Sequence, residues 1–235
     1  MNKYIIGGVS VDTFNSKKEF IQKVEQLPKN QTNICVAINS EKIVSYNESE
    51  VLRSIIDKSS IRYADGIGVI KAIQYRYGLK STKIPGCEIW LDVIANSPSK
   101  SVFLFGSREE VVTKVAGKLQ CSSDVNIVGY NNGYEYDESD LINRILTLEP
   151  DIICVAMGSP KQEEFILKCL EKAVPGIFFG LGGSFDVYGG FTKRAPEIFI
   201  SFGLEWFYRL LKQPHRIFRQ RKLFKFFMFF LTRKY

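Results

Sequence analysis

The sequence has little histidine and no closely spaced pair of cysteines. Among its 235 residues there is one histidine, His215, and none of the five cysteines stands in a C-x-x-C pair. A structural zinc site is built from four Cys or His ligands, so we expect no metal centre of that kind. An odd number of scattered cysteines fits reduced thiols better than a disulfide framework. The cysteines are Cys35, Cys87, Cys121, Cys154 and Cys169.

The sequence also lacks a segment that could cross a membrane. The apolar run near its C-terminus, Phe226 to Leu231, has six residues, whereas a membrane-spanning helix needs roughly 20. The first residues, "MNKYIIGGVSVD", lack the apolar core of about 7–15 residues that marks a secretory signal. We therefore expect the protein to be cytoplasmic.

Complete nucleotide-binding motifs are missing as well. Gly180 and Gly182 begin a G-x-G-x-x-G pattern, but its third position is Phe185, and no G-x-x-x-x-G-K-[ST] segment occurs. These absences disfavour an NAD(P)-dependent oxidoreductase and a P-loop ATPase. An Asp-x-Asp motif is absent too, which is consistent with a reaction that needs no metal ion.

Acidic residues are missing from the C-terminal tail. From Arg209 to Tyr235 there are nine Lys or Arg residues and no Asp or Glu. Of the 32 basic residues, 23 remain in residues 1–208, where they face 25 acidic ones. The net charge of +7 therefore belongs to the tail, and the body is slightly acidic.

On a helical wheel, this tail separates basic from apolar residues. The basic side holds Lys212, Arg216, Arg219 and Lys222, and the apolar side holds Leu210, Ile217 and Phe224. A basic amphipathic helix of this kind can lie in the interface of an anionic membrane, and Phe226 to Leu231 would deepen that contact. Composition alone leaves two alternatives open, namely binding to nucleic acid phosphates and packing on the body or on a second subunit.

The body alternates short apolar runs with amphipathic segments. We predict buried strands at 33–38, 101–106, 125–130, 151–158 and 176–183, with a further short strand before Asp65. Helical patterns lie near 16–27, 41–57, 67–79, 87–96, 107–120, 138–148 and 160–172. This alternation predicts an α/β protein with a Rossmann-like layered, mostly parallel sheet. We expect a catalytic domain at 1–195 and a helical appendage at 196–235.

In open α/β sheets, ligands bind beyond the carboxyl ends of the strands, so the loops there are candidate sites. In "YADGIGVI", Asp65 follows a strand and precedes a helix. Two roles are open for Asp65, as the helix cap or as a general base held at a strand end. Gly66 and Gly68 would let other groups approach the backbone closely.

Two further loops suggest an anion site. In "MGSPKQEEF", Gly158 precedes a helix start in which Ser159 would be the N-cap and Gln162 would close a capping box. Such a helix N-terminus can also bind an anion, aided by the charge of Lys161. The second loop, "GLGGSFDVYGGFTKRAPEIF", places Gly182, Gly183 and the basic Lys193–Arg194 pair after a strand, which suits a nucleotide diphosphate.

An ordered set of motifs resembles the WecG/TagA/CpsF glycosyltransferase family over about residues 5–221. The motifs are "INSEKI" (38–43), "ADGIGVI" (64–70), "IPGCEI" (84–89), "VFLFGS" (102–107), "GSPKQE" (158–163), "GLGGSFD" (180–186), "KRAPE" (193–197) and "GLEWFYRLLKQPHRIFR" (203–219). The resemblance implies an inverting transfer from a UDP-sugar to a polyprenyl-diphosphate-linked sugar, such as N-acetylglucosamine on undecaprenyl diphosphate. The product would be a bacterial surface polymer such as capsule, O-antigen or teichoic acid. No cofactor and no obligatory metal are implied.

The resemblance also implies roles for individual residues. The family's base falls on Asp65, with Gly66 beside it, and its pocket-lining asparagine falls on Asn39. The nucleotide-side glutamine falls on Gln162, near Gly158, Lys161, Gly182 and Gly183. Basic positions suited to diphosphates fall on Arg194, Arg209, Arg216 and Arg219. The appendage would complete the site and bring residues 209–235 to the inner face of the cell membrane.

Two positions depart from the family pattern. Lys83 stands where arginine is common. Lysine keeps the positive charge but lacks the planar guanidinium that can donate two hydrogen bonds to one phosphate or carboxylate group. Ala37 stands where threonine or serine is common. These changes leave the transferred sugar open, including N-acetylmannosamine, and leave room for a non-catalytic nucleotide-sugar or nucleic-acid binding module. With the enzyme interpretation we expect no nucleic acid partner, and a homo-oligomer is possible.

Overall fold

The computed structural model describes residues 3–97, 99–122, 125–201, 205–212 and 217–231. Its strands are β1 (Lys3–Ile6), β2 (Val9–Asp12), β3 (Thr32–Ile38), β4 (Ile61–Ala64), β5 (Ser101–Gly106), β6 (Asn126–Asn131), β7 (Ile152–Ala156) and β8 (Gly176–Gly180). Its helices are α1 (Lys17–Glu25), α2 (Ser40–Glu48), α3 (Glu50–Lys58), α4 (Ile67–Tyr77), α5 (Ile89–Ala95), α6 (Glu109–Ser122), α7 (Glu138–Leu148), α8 (Lys161–Glu171), α9 (Ser184–Tyr188), α10 (Glu197–Ser201), α11 (Glu205–Lys212) and α12 (Ile217–Leu231).

The eight strands form one sheet in the order β1-β2-β4-β3-β8-β7-β5-β6. Every recorded pairing is parallel except that between β1 and β2. The predicted α/β fold with a mostly parallel, layered sheet is therefore confirmed. Neither the antiparallel pair β1–β2 nor the short helix α9 was predicted from the sequence.

The sheet is covered on both faces, which explains the continuous apolar runs in its central strands. One buried cluster packs α2, α3, α4, α7 and α8 on one face, and the other packs α1, α5, α6 and α9 on the opposite face. Strands β4 and β7 are buried along their whole length. Side chains of these strands therefore lie between the sheet and the helices on its two faces. The chain can reach solvent where the loops begin, beyond the carboxyl ends of the strands.

The predicted helix at 41–57 is in fact two helices. Ser49 interrupts it with extended backbone angles (φ −131°, ψ 120°), and its side chain accepts a hydrogen bond from the N–H of Leu52. Serine is a favoured N-cap residue, so this local bond competes with continuation of the helix. The break ends α2 and turns the chain into α3.

The last described helix, α12, packs against α2. Phe226 is only 8% exposed and joins the core cluster on that face. The Nζ atom of Lys222 lies 2.5 Å from Ser45 Oγ, and Lys225 pairs with Glu48. The expectation that Phe226 deepens a membrane contact was wrong, because its ring fills space against the body instead.

Several tail residues named in the sequence analysis lie outside the described side chains. Gly203, Pro214, His215 and Arg216 lie outside the described residues. Arg209 lies in α11, as does Lys212, and Arg219 lies in α12; for these three residues only the backbone is described. Within the described ranges, no helix is both long enough and apolar enough to span a bilayer.

Candidate functional site

The predicted loops meet at one edge of the sheet. Strands β4, β3, β8 and β7 are neighbours and run parallel, so their carboxyl ends lie side by side. Beyond these ends come Asp65, Asn39, the turn at 181–183 and the turn at 157–160. The topology thus brings together segments from four distant parts of the sequence, at the edge where α/β proteins bind ligands.

Asp65 continues the pairing between β4 and β3. Its backbone N–H donates to the carbonyl oxygen of Ile38 at 2.8 Å, and its side chain is partly buried. The N-cap of α4 is Gly66, whose φ of 103° favours glycine. The interpretation of Asp65 as the helix cap was therefore wrong, since the residue lies one position before the cap.

The motif "IPGCEI" lies directly against Asp65. The N–H of Ile84 donates to the carbonyl oxygen of Ala64 at 3.0 Å, which extends the loop along the end of β4. A Cβ atom built on Gly86 would lie 3.1 Å from Oδ2 of Asp65 and 3.0 Å from Cβ of Ala37. Glycine at position 86 therefore permits a close approach of the loop to the carboxylate.

A tyrosine lies beneath this carboxylate. Burial raises the pKa of Tyr63 well above its ordinary value, and the charge of Asp65 raises it further. The same built Cβ on Gly86 would lie 3.5 Å from the Tyr63 hydroxyl. Tyr63 is therefore a neutral, protonated phenol at neutral pH and adds no charge to the site.

Asn39 and Lys83 lie on either side of the Asp65 segment. Asn39 is the N-cap of α2, and its Oδ1 accepts from the N–H of Lys42 at 2.9 Å. Lys83 directly precedes Ile84 in the loop along β4, and it is partly buried. Both expected pocket residues thus belong to segments that adjoin Asp65.

The start of α8 differs from the prediction. The helix begins at Lys161, with Pro160 as its N-cap, no side-chain cap bond and a cis peptide between Ser159 and Pro160. Oε1 of Gln162 instead accepts from the N–H of Gly182 at 2.8 Å. The expected capping box was wrong, because the Gln162 side chain crosses to the turn after β8.

Four glycines at this edge leave the backbone accessible. A Cβ built on any of them would have no other atom within 4 Å. They are Gly66, Gly158, Gly182 and Gly183. Lys161 lies beside them with an exposed side chain. The edge can therefore admit a ligand to backbone N–H groups and helix N-termini, which favour anions.

Arg194, in the motif "KRAPE", contacts the loop at 84–89. Its guanidinium pairs with the carboxylate of Glu88, the N-cap residue of α5, and its side chain is 30% exposed. Among the residues that the structure describes, Nε of Arg194 is buried without a hydrogen-bond partner. "KRAPE" and "IPGCEI" are thus neighbours, as expected if both serve one site.

A polar pair at the end of β5 was not predicted from the sequence. The chain leaves β5 and β7 in opposite directions, toward β6 and β8, which makes the crevice between them a topological switch point. There the Ser107 hydroxyl donates to Oδ2 of Asp186 at 3.0 Å, and Arg108 lies 3.8 Å from the same carboxylate. Ser107 and Asp186 each end a motif that begins in a strand, and that position was the available signal.

The fold agrees with what a comparison to known protein families finds. The model of the WecG/TagA/CpsF glycosyl transferase family matches residues 4–235, which is essentially the whole chain and includes α12. The matched region contains every segment that meets at the sheet edge. We conclude that this chain belongs to the WecG/TagA/CpsF glycosyltransferase family, which serves the synthesis of bacterial cell-surface polysaccharides.

Proposed function

We propose that the protein transfers a hexose from a UDP-sugar to a polyprenyl-diphosphate-linked acceptor sugar, with inversion and with Asp65 as general base. The sugar would be of the N-acetylmannosamine type or another hexose. One observation carries this proposal. A partly buried carboxylate lies at the same strand edge as four open glycine positions and three helix N-termini.

The chemistry requires a single base. Asp65 would accept the proton of the acceptor hydroxyl while that oxygen attacks the anomeric carbon of the donor. The bond from the anomeric carbon to the diphosphate oxygen breaks, and UDP leaves with the electron pair on the face opposite the new bond. One displacement of this kind inverts the anomeric centre. A positioned base contributes about 10²–10⁴-fold to the rate of such a step.

The leaving UDP needs stabilisation of its negative charge. We assign this role to the N-termini of α2, α4 and α8, to Lys161, and to the backbone N–H groups around Gly158 and Gly183, since the N–H of Gly182 already donates to Gln162. Fixed dipoles and charges that face a developing charge are usually the largest contribution to catalysis. We place the nucleoside in the crevice between β5 and β7, beside Ser107 and Asp186. No step in this scheme requires a metal ion or a cofactor.

Because the proposed acceptor is a membrane lipid, we expect the enzyme to work at the membrane surface. On α12, Phe224, Phe227 and Met228 are exposed, and on α11 so are Trp206 and Leu211. Exposed apolar side chains on a basic appendage are typical of interfacial helices. We propose that residues 196–235 form this appendage and hold the enzyme on the inner face of the cell membrane through residues 209–235. We propose Arg209, Arg216 and Arg219 as its phosphate-binding residues.

Gly86→Ala tests the arrangement around Asp65. The added methyl group would meet the Asp65 carboxylate at 3.1 Å and Ala37 at 3.0 Å, so the carboxylate must shift. We expect kcat to fall about tenfold, since displacing a reacting group by about 1 Å can cost about 10²-fold. Steady-state kinetics with saturating donor measures this effect. Gly117→Ala in α6, where the methyl group meets no atom within 4 Å, is the matched control, and equal kcat values for both variants would contradict the arrangement.

Ligand binding tests the proposed donor against the rival classes. We expect calorimetry to detect binding of UDP with EDTA present, and no binding of NADH or of a single-stranded oligonucleotide. Binding of NADH would favour an oxidoreductase, and binding of the oligonucleotide alone would favour a nucleic-acid module. If UDP bound but no sugar were ever transferred, the non-catalytic nucleotide-sugar module would replace the enzyme.

A further inference from the structure

Behind the glycine turns lies a buried chain of polar groups. Lys42 Nζ lies 3.3 Å from Oε1 of Glu163, and the same oxygen accepts from Nε2 of Gln162 at 3.1 Å. Oε1 of Gln162 in turn accepts from the N–H of Gly182 at 2.8 Å. The chain therefore connects the start of α2, the start of α8 and the turn after β8.

Glu163 and Gln162 are among the most buried polar residues of the body. Glu163 is 2% exposed and Gln162 is 3% exposed. Lys42 is also largely buried, with 13% of its side chain accessible. A buried carboxylate is costly unless it is paired and hydrogen-bonded, and Lys42 and Gln162 supply that compensation. Within the described part of the chain, Oε2 of Glu163 still has no partner.

These partners leave the Gln162 amide only one orientation. The side-chain amide has an acceptor oxygen and a donor NH₂ group. If it were flipped, its oxygen would face the Glu163 carboxylate and its NH₂ group would face the N–H of Gly182. Both contacts would be repulsive. Glu163 thus ensures that an acceptor, and not a donor, meets the backbone of Gly182.

The orientation matters because Gly182 lies at the open edge. Gly182 adopts a φ of +56°, and a Cβ atom built on it would point into open space. The Gln162 amide also requires Gly180, since a Cβ atom there would lie 2.8 Å from Nε2. The amide is therefore enclosed on the β8 side and holds the turn through one defined hydrogen bond.

We propose that Glu163, with Lys42 as its counter-charge, is a positioning residue for the donor diphosphate, acting through Gln162 on the Gly182–Gly183 turn. The inference rests on the proposed function, because it assigns the diphosphate of UDP to this edge. Glu163 itself is too buried to touch the ligand. Its effect is to hold the turn in the conformation that the diphosphate meets, before the ligand arrives.

The first experiment is calorimetric titration of the full-length protein with UDP. We expect Glu163→Ala to raise the Kd for UDP about tenfold. This is the lower end of the range seen when a group that hydrogen-bonds to a metal-binding side chain, and so orients it, is removed. Glu163→Gln keeps an oxygen that Lys42 attracts and Gln162 can donate to, so Kd should stay within about threefold. Glu164→Ala, an exposed neighbour in α8, is the control with unchanged Kd. An unchanged Kd for folded Glu163→Ala would overturn the inference.

A second measurement separates positioning from general loss of structure. If Glu163 acts only through Gln162, then Glu163→Ala should not weaken UDP binding further in a Gln162→Ala background. Independent, multiplying effects would overturn the proposed route. Should Glu163→Ala fold poorly, Lys42→Met/Glu163→Met replaces the pair by apolar residues of similar size, a change that buried pairs often tolerate. This variant should show the same tenfold rise in Kd, and wild-type affinity in it would count against the inference.

The two proposals fail in different ways. If the wild-type protein does not bind UDP, the proposed donor is wrong, and the inference about Glu163 falls with it. If the wild type binds UDP and Glu163→Ala, folded by its circular dichroism spectrum and Tm, binds it equally well, the inference alone is wrong.

Discussion

Asp65→Asn is expected to lower kcat by about 10²–10⁴-fold while leaving the Kd for UDP within about twofold. Asparagine keeps the size of the side chain and its place beside Gly86, but it cannot accept the acceptor's proton at neutral pH. The loss should therefore fall on the chemical step. Rapid-quench kinetics with saturating donor and acceptor measures that step directly.

The control for this prediction is another aspartate. Asp92→Asn in α5 removes a carboxylate that pairs with Lys17 on a partly exposed surface, and it should leave kcat unchanged. Asp65→Glu should retain part of the activity, because the base remains but is displaced. A wild-type rate in Asp65→Asn would eliminate Asp65 as the base and would require another proton acceptor at this edge.

Replacing Phe224, Phe227 and Met228, which are exposed on α12, with serine should release the protein from membranes. Phe224 is 66% exposed, Phe227 is 54% exposed and Met228 is 41% exposed, so none of them is needed to fill the core. Fully burying such a side chain is worth about 1.5–3 kcal/mol. Partial insertion of three should therefore change the partition coefficient by about 100-fold or more. Sedimentation with vesicles containing anionic lipid measures it.

The same variant separates membrane binding from catalysis. Transfer to a short-chain, water-soluble acceptor should remain close to the wild-type rate, while transfer to a long-chain acceptor in vesicles should fall. Tyr134→Ser, at a site 76% exposed on the body, is a matched control that should still sediment. If the triple variant sedimented like the wild type, α12 would not be the anchor, and the apolar residues of α11 would be tested next.

The sequence predicted the fold well because the central strands carry a strong signal. Strands buried on both faces need continuous apolar runs, and β5 lies at the predicted 101–106. Helix α7 likewise occupies the predicted 138–148, since its apolar spacing is regular and Asp137 caps it. The edge pair β1–β2 was missed because each strand has four residues and little pattern.

The candidate site was harder to predict, because its contacts are tertiary. Asp65, Asn39 and Gln162 could be named from motifs and from their positions after strands. Nothing local showed that Gln162 would bond to Gly182, twenty residues away, instead of closing a capping box. Nor did the amphipathic pattern of the tail show that Phe226 would pack beside Gly68 and Ser40. Such contacts depend on strand order, which the sequence does not display.

The most direct test is transfer of sugar to a short-chain polyprenyl-diphosphate-N-acetylglucosamine acceptor. The full-length protein is incubated with the acceptor and each of a panel of UDP-sugars, with EDTA present. The mass of the acceptor is then measured by mass spectrometry. The account predicts that one donor adds a single hexose-type residue to the acceptor and that the new glycosidic bond has the inverted configuration. No mass gain from any donor, with a folded protein that binds UDP, would contradict it.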